Sequence, residues 1–295
     1  MQAEIRSSNA CAADCAAHDR PVYRLVALDL DGTLLNSNKQ LSAGNAAALA
    51  AAAEQGIAIV PTTGRFFDGM PQVIRALPML RYAITINGAQ VQDIQTGDVI
   101  YRAELPLEQA VQIMAYLDTL PVIYDCYADN WGWMTRGMHA RAEEFAPDAH
   151  YLKMIRELRT PVDELKQHLL ARGGNVQKIQ LFTQRPALRG EIAAELTRRF
   201  SGLAVSSSVP NNLEINAAGA NKGDAVRALC AHLGFDIAQA VSFGDGSNDL
   251  SMIRACGLGV AMANACPEVL EAADLVTASC DDDGVARVLR AVVLR

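Results

Sequence analysis

The sequence predicts an α/β protein in which a doubly wound parallel sheet is interrupted by a second, α+β module. Two observations lead to this fold class. Continuous apolar segments alternate with helical segments from Tyr23 to about residue 88, and the same alternation returns after Gly219. Between these two parts, polar and apolar residues alternate in short runs that are typical of antiparallel hairpins. Apolar strands separated by helices favour a parallel sheet covered on both faces.

The first part of the chain supplies three predicted strands and two predicted helices. The strands are "YRLVALDL", "GIAIVPTTG" and "YAITING". An alanine-rich helix lies between the first two strands, because Ser42 can cap its start and Gly56 can end it. A short helix, "MPQVIRALPML", precedes the third strand.

The middle part begins with a predicted hairpin, "AQVQDIQTGDVIYRAEL", whose turn is Thr96-Gly97-Asp98. Further helices and strands follow, and Pro161 is predicted to lie near the start of the helix "PVDELKQHLLARGG". A second hairpin is predicted within "LAVSSSVPNNLEINA". Four aromatic residues of this part are predicted to pack in its interior, and one of them is a candidate for lining a pocket: Tyr124, Tyr127, Trp131 and Trp133.

In the last part, apolar strands and helices alternate again as in the first part. The predicted elements are helix "KGDAVRALCAHLG", strand "AVSFGD", helix "NDLSMIRAC", strands "GLGVAM" and "DLVTAS", and a closing helix. The simplest division is a Rossmann-like core made of residues 23–88 and 217–295. Residues 89–216 then form an inserted domain, and residues 1–22 are predicted to be a loose N-terminal extension.

Composition excludes several classes of protein. The net charge is −7 and no basic stripe is present, which argues against a nucleic-acid partner. No run of about 20 apolar residues or secretory signal is found, so neither a membrane partner nor export is expected. The seven cysteines lack a CxxC pair and favour a reduced, cytoplasmic setting. The spacing of Cys11 and Cys15 carries little information about metal or redox chemistry.

Polar residues and glycines follow four of the predicted strands, at the edge where open parallel sheets bind ligands. They are Asp29 and Asp31; Thr62, Thr63, Gly64 and Arg65; Asn87 and Gly88; and Asp245, Asn248 and Asp249. At least four carboxylates would therefore gather along one edge, which is unfavourable unless a cation is bound. Ligands that are all oxygen atoms suit a hard ion such as Mg²⁺.

These residues are also suited to phosphoryl transfer. Lys222 begins a predicted helix, and together with the Thr63 hydroxyl and loop amides it can bind phosphoryl oxygens. Asp29 is then placed to attack phosphorus, and Asp31 can serve as general acid and base. Each segment alone is weak evidence for a phosphoryl-transfer site, because "DLDGT" and "TTGR" can be ordinary turns and "GDGSND" can cap a helix. Their occurrence together, each at a strand or helix end, predicts a phosphoryl-transfer site.

The same segments resemble the haloacid dehalogenase superfamily, and within it the Cof-type branch of sugar-phosphate phosphatases with an inserted α/β cap. The matching segments are "DLDGTLL", "TTGR", "NGA", "NKGDAV", "GDGSNDLSM" and the stretch that starts at "VAMANACPEV". The resemblance runs from about Tyr23 to the C-terminus.

The resemblance implies Asp29 as nucleophile and Asp31 as acid/base. It implies Mg²⁺ bound by Asp29, by the main-chain carbonyl of Asp31 and by Asp245, while Asp249 supports the metal from behind and orients Lys222. Phosphate and substrate contacts are implied for Thr63, Gly64, Arg65, Asn87, Lys222 and Asn248, with Arg65 and Asn87 as secondary contacts near the cap boundary. Because Thr62 and Thr63 are adjacent, the choice of Thr63 rests on its position beside Gly64.

Three functions remain open at this point. The first is a Mg²⁺-dependent phosphatase that acts on small phosphorylated metabolites through an aspartyl-phosphate. The second is a phosphosugar mutase, and the third is a non-catalytic module whose Asp29 only accepts phosphate. Asp31 favours an enzyme, because a mere acceptor needs no general acid. The sequence does not identify the substrate, and it is compatible with a monomer or a homodimer.

Overall fold

The computed structural model describes residues 22–294, apart from the side chain of His150. Almost all of the predicted N-terminal extension, with Cys11 and Cys15, therefore lies outside the described residues. The strands, in chain order, are β1 (Leu25–Leu28), β2 (Ala58–Pro61), β3 (Tyr82–Thr85), β4 (Gln90–Asp93), β5 (Val99–Arg102), β6 (Val122–Ala128), β7 (Trp131–Thr135), β8 (Arg159–Val162), β9 (Lys178–Thr183), β10 (Leu203–Ser206), β11 (Asn212–Ala217), β12 (Ala240–Gly244), β13 (Leu258–Ala261) and β14 (Leu275–Val276).

The α-helices of the described residues are α1 (Ala43–Glu54), α2 (Gln72–Arg75), α3 (Leu107–Leu117), α4 (Arg136–Ala140), α5 (Ala142–Phe145), α6 (Ala149–Leu158), α7 (Leu165–Arg172), α8 (Leu188–Arg199), α9 (Lys222–His232), α10 (Leu250–Ala255), α11 (Pro267–Ala272) and α12 (Gly284–Val288). A π-helix, Leu289–Val293, extends α12. Helix α1 begins as predicted, because Ser42 Oγ accepts the N–H of Asn45 at 3.0 Å.

The core is a five-stranded parallel sheet in the order β14-β13-β12-β1-β2. Successive residues of β1 face opposite sides, so that Val26 and Leu28 pack in one apolar cluster while Leu25 and Ala27 pack in another. Helices α1 and α12 cover the first side, and α9 and α10 cover the second. The predicted doubly wound α/β core is confirmed.

A second sheet of six strands has the order β10-β11-β9-β6-β7-β8. Only the β7–β8 pair is parallel. We call this sheet and the helices α3 to α8 the cap. One face of the sheet packs on α3, α7 and α8. Strands β6 and β7 form a tight hairpin, which Asp129 and Asn130 allow because both adopt positive φ, at 50° and 57°.

The first predicted hairpin pairs with the core side of the molecule. Strands β4 and β5 form a three-stranded antiparallel sheet with β3. A parallel bridge between Thr62 and Ile84 joins β3 to the end of β2, and α9 packs on β5. The boundary of the insert stays a prediction, and this pairing favours a start near Pro106 over one at residue 89.

The prediction for Pro161 is wrong. The residue lies in β8, and helix α7 begins four residues later at Leu165. Strand β8 is at the edge of its sheet. An edge strand tolerates proline because its missing N–H can face away from the neighbouring strand.

Candidate active site

A cavity of about 530 Å³ lies between the carboxyl ends of the core strands and the face of the cap sheet that is opposite α3, α7 and α8 and partly covered by α5 and α6. Its core wall contains most of the residues that the sequence singled out: Asp29, Asp31, Thr63, Gly64, Arg65, Asp245, Asn248 and Asp249. Lys222 is fully buried directly behind this wall. The topology thus brings together segments that are more than 200 residues apart in the chain.

The centre of the site is a buried lysine between two aspartates. Lys222 Nζ donates to Asp29 Oδ1 at 2.6 Å and to Asp249 Oδ1 at 2.5 Å. Burial raises the pKa of Asp29 well above its usual range, although the positive charge of Lys222 opposes this shift. Burial would lower the pKa of Lys222, but the two carboxylates overcome it and raise that pKa. The ammonium group is therefore held in its charged form.

Asp249 has both carboxylate oxygens engaged. Its Oδ1 accepts from Lys222, and its Oδ2 accepts the backbone N–H groups of Asp245 and Gly246, each at 2.9 Å. The N–H of Asp245 and the ammonium of Lys222 are thereby fixed by one side chain. The predicted role of Asp249 in supporting a metal stays a prediction, and the observed bonds show that it orients Lys222 and the loop after β12.

Asp245 faces the cavity next to Gly32. Its Oδ1 accepts from the Thr33 hydroxyl at 2.7 Å, and its Oδ2 lies 2.5 Å from the position that a Cβ at Gly32 would occupy. Gly32 also has φ +88°, so a side chain is disfavoured there on two counts. Burial and the nearby charge of Asp249 raise the pKa of Asp245 to about 6.

This carboxylate cluster fits a divalent cation. Asp29, Asp245 and Asp249 each offer an oxygen, and these atoms lie within 4.8 Å of one another. Burial and the like charge of Asp249 raise the pKa of Asp245, and the positive charge of a bound cation would oppose both effects. All of the donors are hard oxygen atoms, as Mg²⁺ prefers. Because both oxygens of Asp249 already accept hydrogen bonds, Asp29 and Asp245 are the better placed side-chain ligands.

Asp31 forms a salt-bridged cluster at the side of the cavity. Arg65 donates to it from two nitrogens, from Nε to Oδ2 at 2.8 Å and from Nη2 to Oδ1 at 3.0 Å. Lys39, which lies in a turn with φ +60°, adds a contact at 2.9 Å. Burial alone would raise the pKa of Asp31, but Arg65 and Lys39 lower it to about 2. The sequence expected Arg65 near the cap boundary and did not predict its pairing with Asp31.

The structure separates the two adjacent threonines. The Thr62 hydroxyl donates to Val60 O at 3.2 Å, within its own strand. Thr63 lines the cavity, and its hydroxyl accepts the N–H of Arg65 at 3.2 Å. Of the two threonines, Thr63 is therefore the one that lines the cavity, and its contact to phosphate stays a prediction.

Asn87 and Asn248 connect loops in this structure. Asn87 Nδ2 donates to Glu214 Oε2 at 2.5 Å, and Asn87 Oδ1 accepts from Asn248 at 3.3 Å. Asn87 itself adopts φ +58°, a conformation that asparagine tolerates better than most residues. Their predicted contacts to substrate stay predictions, and the observed bonds link the core loops to the cap.

Sequence reasoning missed the cap wall of the cavity. The wall contains residues of the cap strands, namely Tyr127, Arg159, Lys178, Gln180, Phe182 and Glu214. Asp148, helix α6 and the loop after β10 also contribute to it. The signal was present in "KIQLF" and "LEI", where polar residues alternate with apolar ones inside strands. Ile179, Leu181, Leu213 and Ile215 face the apolar cluster of the cap instead. Of the four aromatic candidates, Tyr127 is the one that lines the cavity.

The fold and the site together define an α/β protein with a cap over a buried aspartate, which lies beside a carboxylate cluster that could hold a cation. Comparison with known families agrees with this class. The family model for haloacid dehalogenase-like hydrolases matches residues 26–289. The chain belongs to this family.

Similar proteins are phosphatases. The putative phosphatase YxeH of Bacillus subtilis is 32% identical over 280 residues, which cover 92% of this chain and 99% of that protein. The 5-amino-6-(5-phospho-D-ribitylamino)uracil phosphatase YcsE of the same organism is 30% identical and covers 92% and 96% of the two chains. A solved haloacid dehalogenase-like hydrolase from B. subtilis superposes with a TM-score of 0.79, at 26% identity, over 92% of this chain and all of the other. The predicted family and enzyme class are confirmed.

Within the described residues, no helix combines the length and the apolar character that a membrane crossing requires.

Proposed function

We propose that this protein is a Mg²⁺-dependent phosphatase that hydrolyses small phosphorylated metabolites through an aspartyl-phosphate on Asp29. The observation that carries the proposal is the placement of Asp29 at the end of β1, bonded to buried Lys222 and within reach of Asp245 at the base of the cavity. A carboxylate in this setting is a nucleophile whose charge is balanced and whose orientation is fixed.

In the first step, a carboxylate oxygen of Asp29 attacks phosphorus and the bond from phosphorus to the leaving-group oxygen breaks. Lys222, the Thr63 hydroxyl and the amides of the loop that follows β2 bind the phosphoryl oxygens as their charge redistributes. Asp29, Asp245 and the Asp31 carbonyl would hold a divalent cation, which would supply positive charge to offset the negative charges of the nucleophile and the phosphate.

Asp31 serves the leaving group in the first step and water in the second. It donates a proton to the departing oxygen, then removes one from the water that attacks the aspartyl-phosphate. The attack by water releases phosphate and restores Asp29. Since Arg65 and Lys39 hold Asp31 in this structure, the reaction requires these contacts to loosen. The phosphoryl group supplies the competing anion for both cations.

The cap closes the remaining side of the cavity. Lys178 of the cap donates to the backbone oxygen of Gly64 in the core at 2.9 Å, and Ser247 of the core donates to Ser207 O of the cap at 3.3 Å. These contacts keep the two units together around the substrate. Water is excluded during the first step and admitted when the contacts open.

Phosphate release from p-nitrophenyl phosphate, with Mg²⁺ and with EDTA, tests the proposal. Turnover that requires Mg²⁺ and a phosphoenzyme that Asp29→Asn cannot form would support it. Turnover that is unchanged by EDTA would remove the metal from the mechanism. An isomerised sugar phosphate without free phosphate would favour a mutase. A stable phospho-Asp29 without turnover would favour the non-catalytic module.

Asp31 is tested by comparing leaving groups. We expect Asp31→Asn to slow the hydrolysis of sugar phosphates more than that of p-nitrophenyl phosphate, because p-nitrophenolate needs less protonation. An equal loss on both substrates would argue against Asp31 as the general acid.

A further inference from the structure

The cap wall of the cavity contains two cations, and each is paired with a buried carboxylate. Arg159 Nε lies 2.9 Å from Asp125 Oδ2, and both side chains are almost fully buried. Arg159 Nη2 also donates a hydrogen bond to the Tyr127 hydroxyl at 2.6 Å. Burial would lower the pKa of Arg159, but Asp125 and Tyr127 raise it. The guanidinium is thus charged and already bonded within the cap.

Lys178 is paired in the same way. Its ammonium lies 3.4 Å from Glu214 Oε1, donates to Gly64 O at 2.9 Å and sits 4.4 Å from the centre of the Tyr127 ring. Glu214 also accepts from Asn87 and from the Ser208 hydroxyl, at 2.5 and 3.0 Å. Moving either charge toward a ligand would break several buried contacts at once.

The other charged residues near the cap wall leave its numbers of positive and negative charges equal. Asp148 lines the cavity and caps helix α6, where its Oδ1 accepts the N–H of Tyr151. Behind the wall, Asp125 contributes one negative charge and Arg189, which donates to the Ser207 hydroxyl at 2.7 Å, one positive charge. Among the described residues that line this wall, two anions match two cations, and both cations are paired.

In the proposed mechanism, the core side of the cavity binds the phosphoryl group that is transferred. Its cations, Lys222, Arg65 and Lys39, contact Asp29, Asp249 and Asp31. A second phosphate on the substrate would therefore lie against a cap wall whose two cations are already paired, close to the Glu214 carboxylate. Hydroxyl groups would instead find partners in Ser208 and Gln180.

We propose that the cap wall selects phosphomonoesters whose leaving group carries no second anionic group, with Glu214 and Asp148 as the specificity-determining residues. This inference rests on the proposed phosphatase function. A leaving group rich in hydroxyls fits the wall, whereas a bisphosphate places a like charge beside the buried carboxylate of Glu214 and the exposed carboxylate of Asp148, with no unpaired cation of the wall to balance it.

The experiment compares fructose 6-phosphate with fructose 1,6-bisphosphate, and uses p-nitrophenyl phosphate to report the phosphoryl chemistry alone. We expect kcat/KM for the bisphosphate to be about tenfold or more below that for the monophosphate, with a smaller ratio at high salt because screening weakens repulsion. Turnover of p-nitrophenyl phosphate with an equal or higher kcat/KM for the bisphosphate would overturn the inference alone. Failure to hydrolyse any of the three esters would overturn the phosphatase function and this inference with it.

Two variants assign the selectivity to residues. Asp148→Asn keeps the helix cap, since asparagine caps as well as aspartate, and removes one wall charge. Glu214→Gln removes the other and leaves Lys178 without its carboxylate. We expect each to raise the relative kcat/KM of the bisphosphate several-fold. The matched control is Asp163→Asn, which neutralises a cap aspartate whose side chain is 86% exposed and does not line the cavity.

If Glu214→Gln does not fold, Asp148→Asn and the wild-type substrate pair still decide the matter. Ratios that stay at the wild-type value in the folded variants would overturn the residue assignment. A ratio that rises equally in Asp163→Asn would attribute the effect to net charge instead of the cap wall.

Discussion

Replacement of Lys222 by methionine is the sharpest test of how the site is held together. The Lys222 side chain has no exposed surface, and its partners Asp29 and Asp249 are 11% and 1% exposed. Methionine fills similar space and removes the charge, so that two buried carboxylates lose their shared cation. Breaking a buried ion pair from one side costs about 3–5 kcal/mol. For a core of this size we expect Tm to fall by about 6 °C or more.

The loss should depend on pH in a defined direction. Burial already raises the pKa of Asp29, and removal of Lys222 raises it further because the ammonium opposes this shift. A carboxyl whose folded pKa is raised adds stability below its unfolded pKa and loses it as pH rises through the folded pKa. The deficit of Lys222→Met relative to wild type should therefore be smaller at pH 5 than at pH 8.

The assay is thermal and urea unfolding followed by circular dichroism, in EDTA so that no metal masks the charge effect. The control is Lys153→Met, because Lys153 pairs with Glu157 at 3.9 Å on the surface of α6, where both side chains are more than 60% exposed. We expect no measurable change for the control. Equal Tm values for the two variants, or a deficit that does not shrink on acidification, would refute this account of Lys222.

Three further predictions address the same site. Thr63→Val should lower kcat/KM about tenfold or more, because Thr63 lines the cavity and its hydroxyl is proposed to bind phosphate, while Thr62→Val should leave steady-state kinetics near wild type because the Thr62 hydroxyl donates to Val60 O of β2. Gly32→Ala should displace Asp245 and weaken metal activation, read as a higher Mg²⁺ concentration for half-maximal phosphate release; an unchanged Mg²⁺ response would contradict it. Asp29→Asn should abolish turnover while urea unfolding shows an intact fold, and residual rates near wild type would exclude Asp29 as nucleophile.

The core-side residues could be predicted because their positions follow from local patterns. "LVALDLDGT" and "AVSFGDGSND" are apolar runs that end in acids, and parallel strands place such ends at one edge of the sheet. The long-range contact follows from the rule that the carboxyl ends of parallel strands lie at one edge of the sheet. Because β1 and β12 pair in parallel, Asp29 and Asp245 come together. The same reasoning located Lys222 at the start of α9.

The pairing of Asp31 with Arg65 and the location of the first hairpin did not follow from local patterns. Both depend on which segments meet in space. Arg65 follows β2, which is the neighbour of β1 in the sheet, so its guanidinium reaches Asp31 across the sheet edge. The hairpin has the alternation expected of the insert, yet its partner is β3. Alternation reports that a strand has two faces and carries no information on its neighbour.

The sequence alone determined that the core is a doubly wound α/β sheet and that Asp29, Asp31, Thr63, Lys222, Asp245 and Asp249 belong to one site. Hydrophobic periodicity and strand ends are local properties, and the few topologies open to parallel strands supply the rest. Only the tertiary structure decided what faces this site. Lys178 and Glu214 are separated in the chain from the acids of the core, and their charge pair enters the cavity only because the cap sheet turns its polar face toward the core. That orientation depends on packing between units, which no single strand pattern encodes.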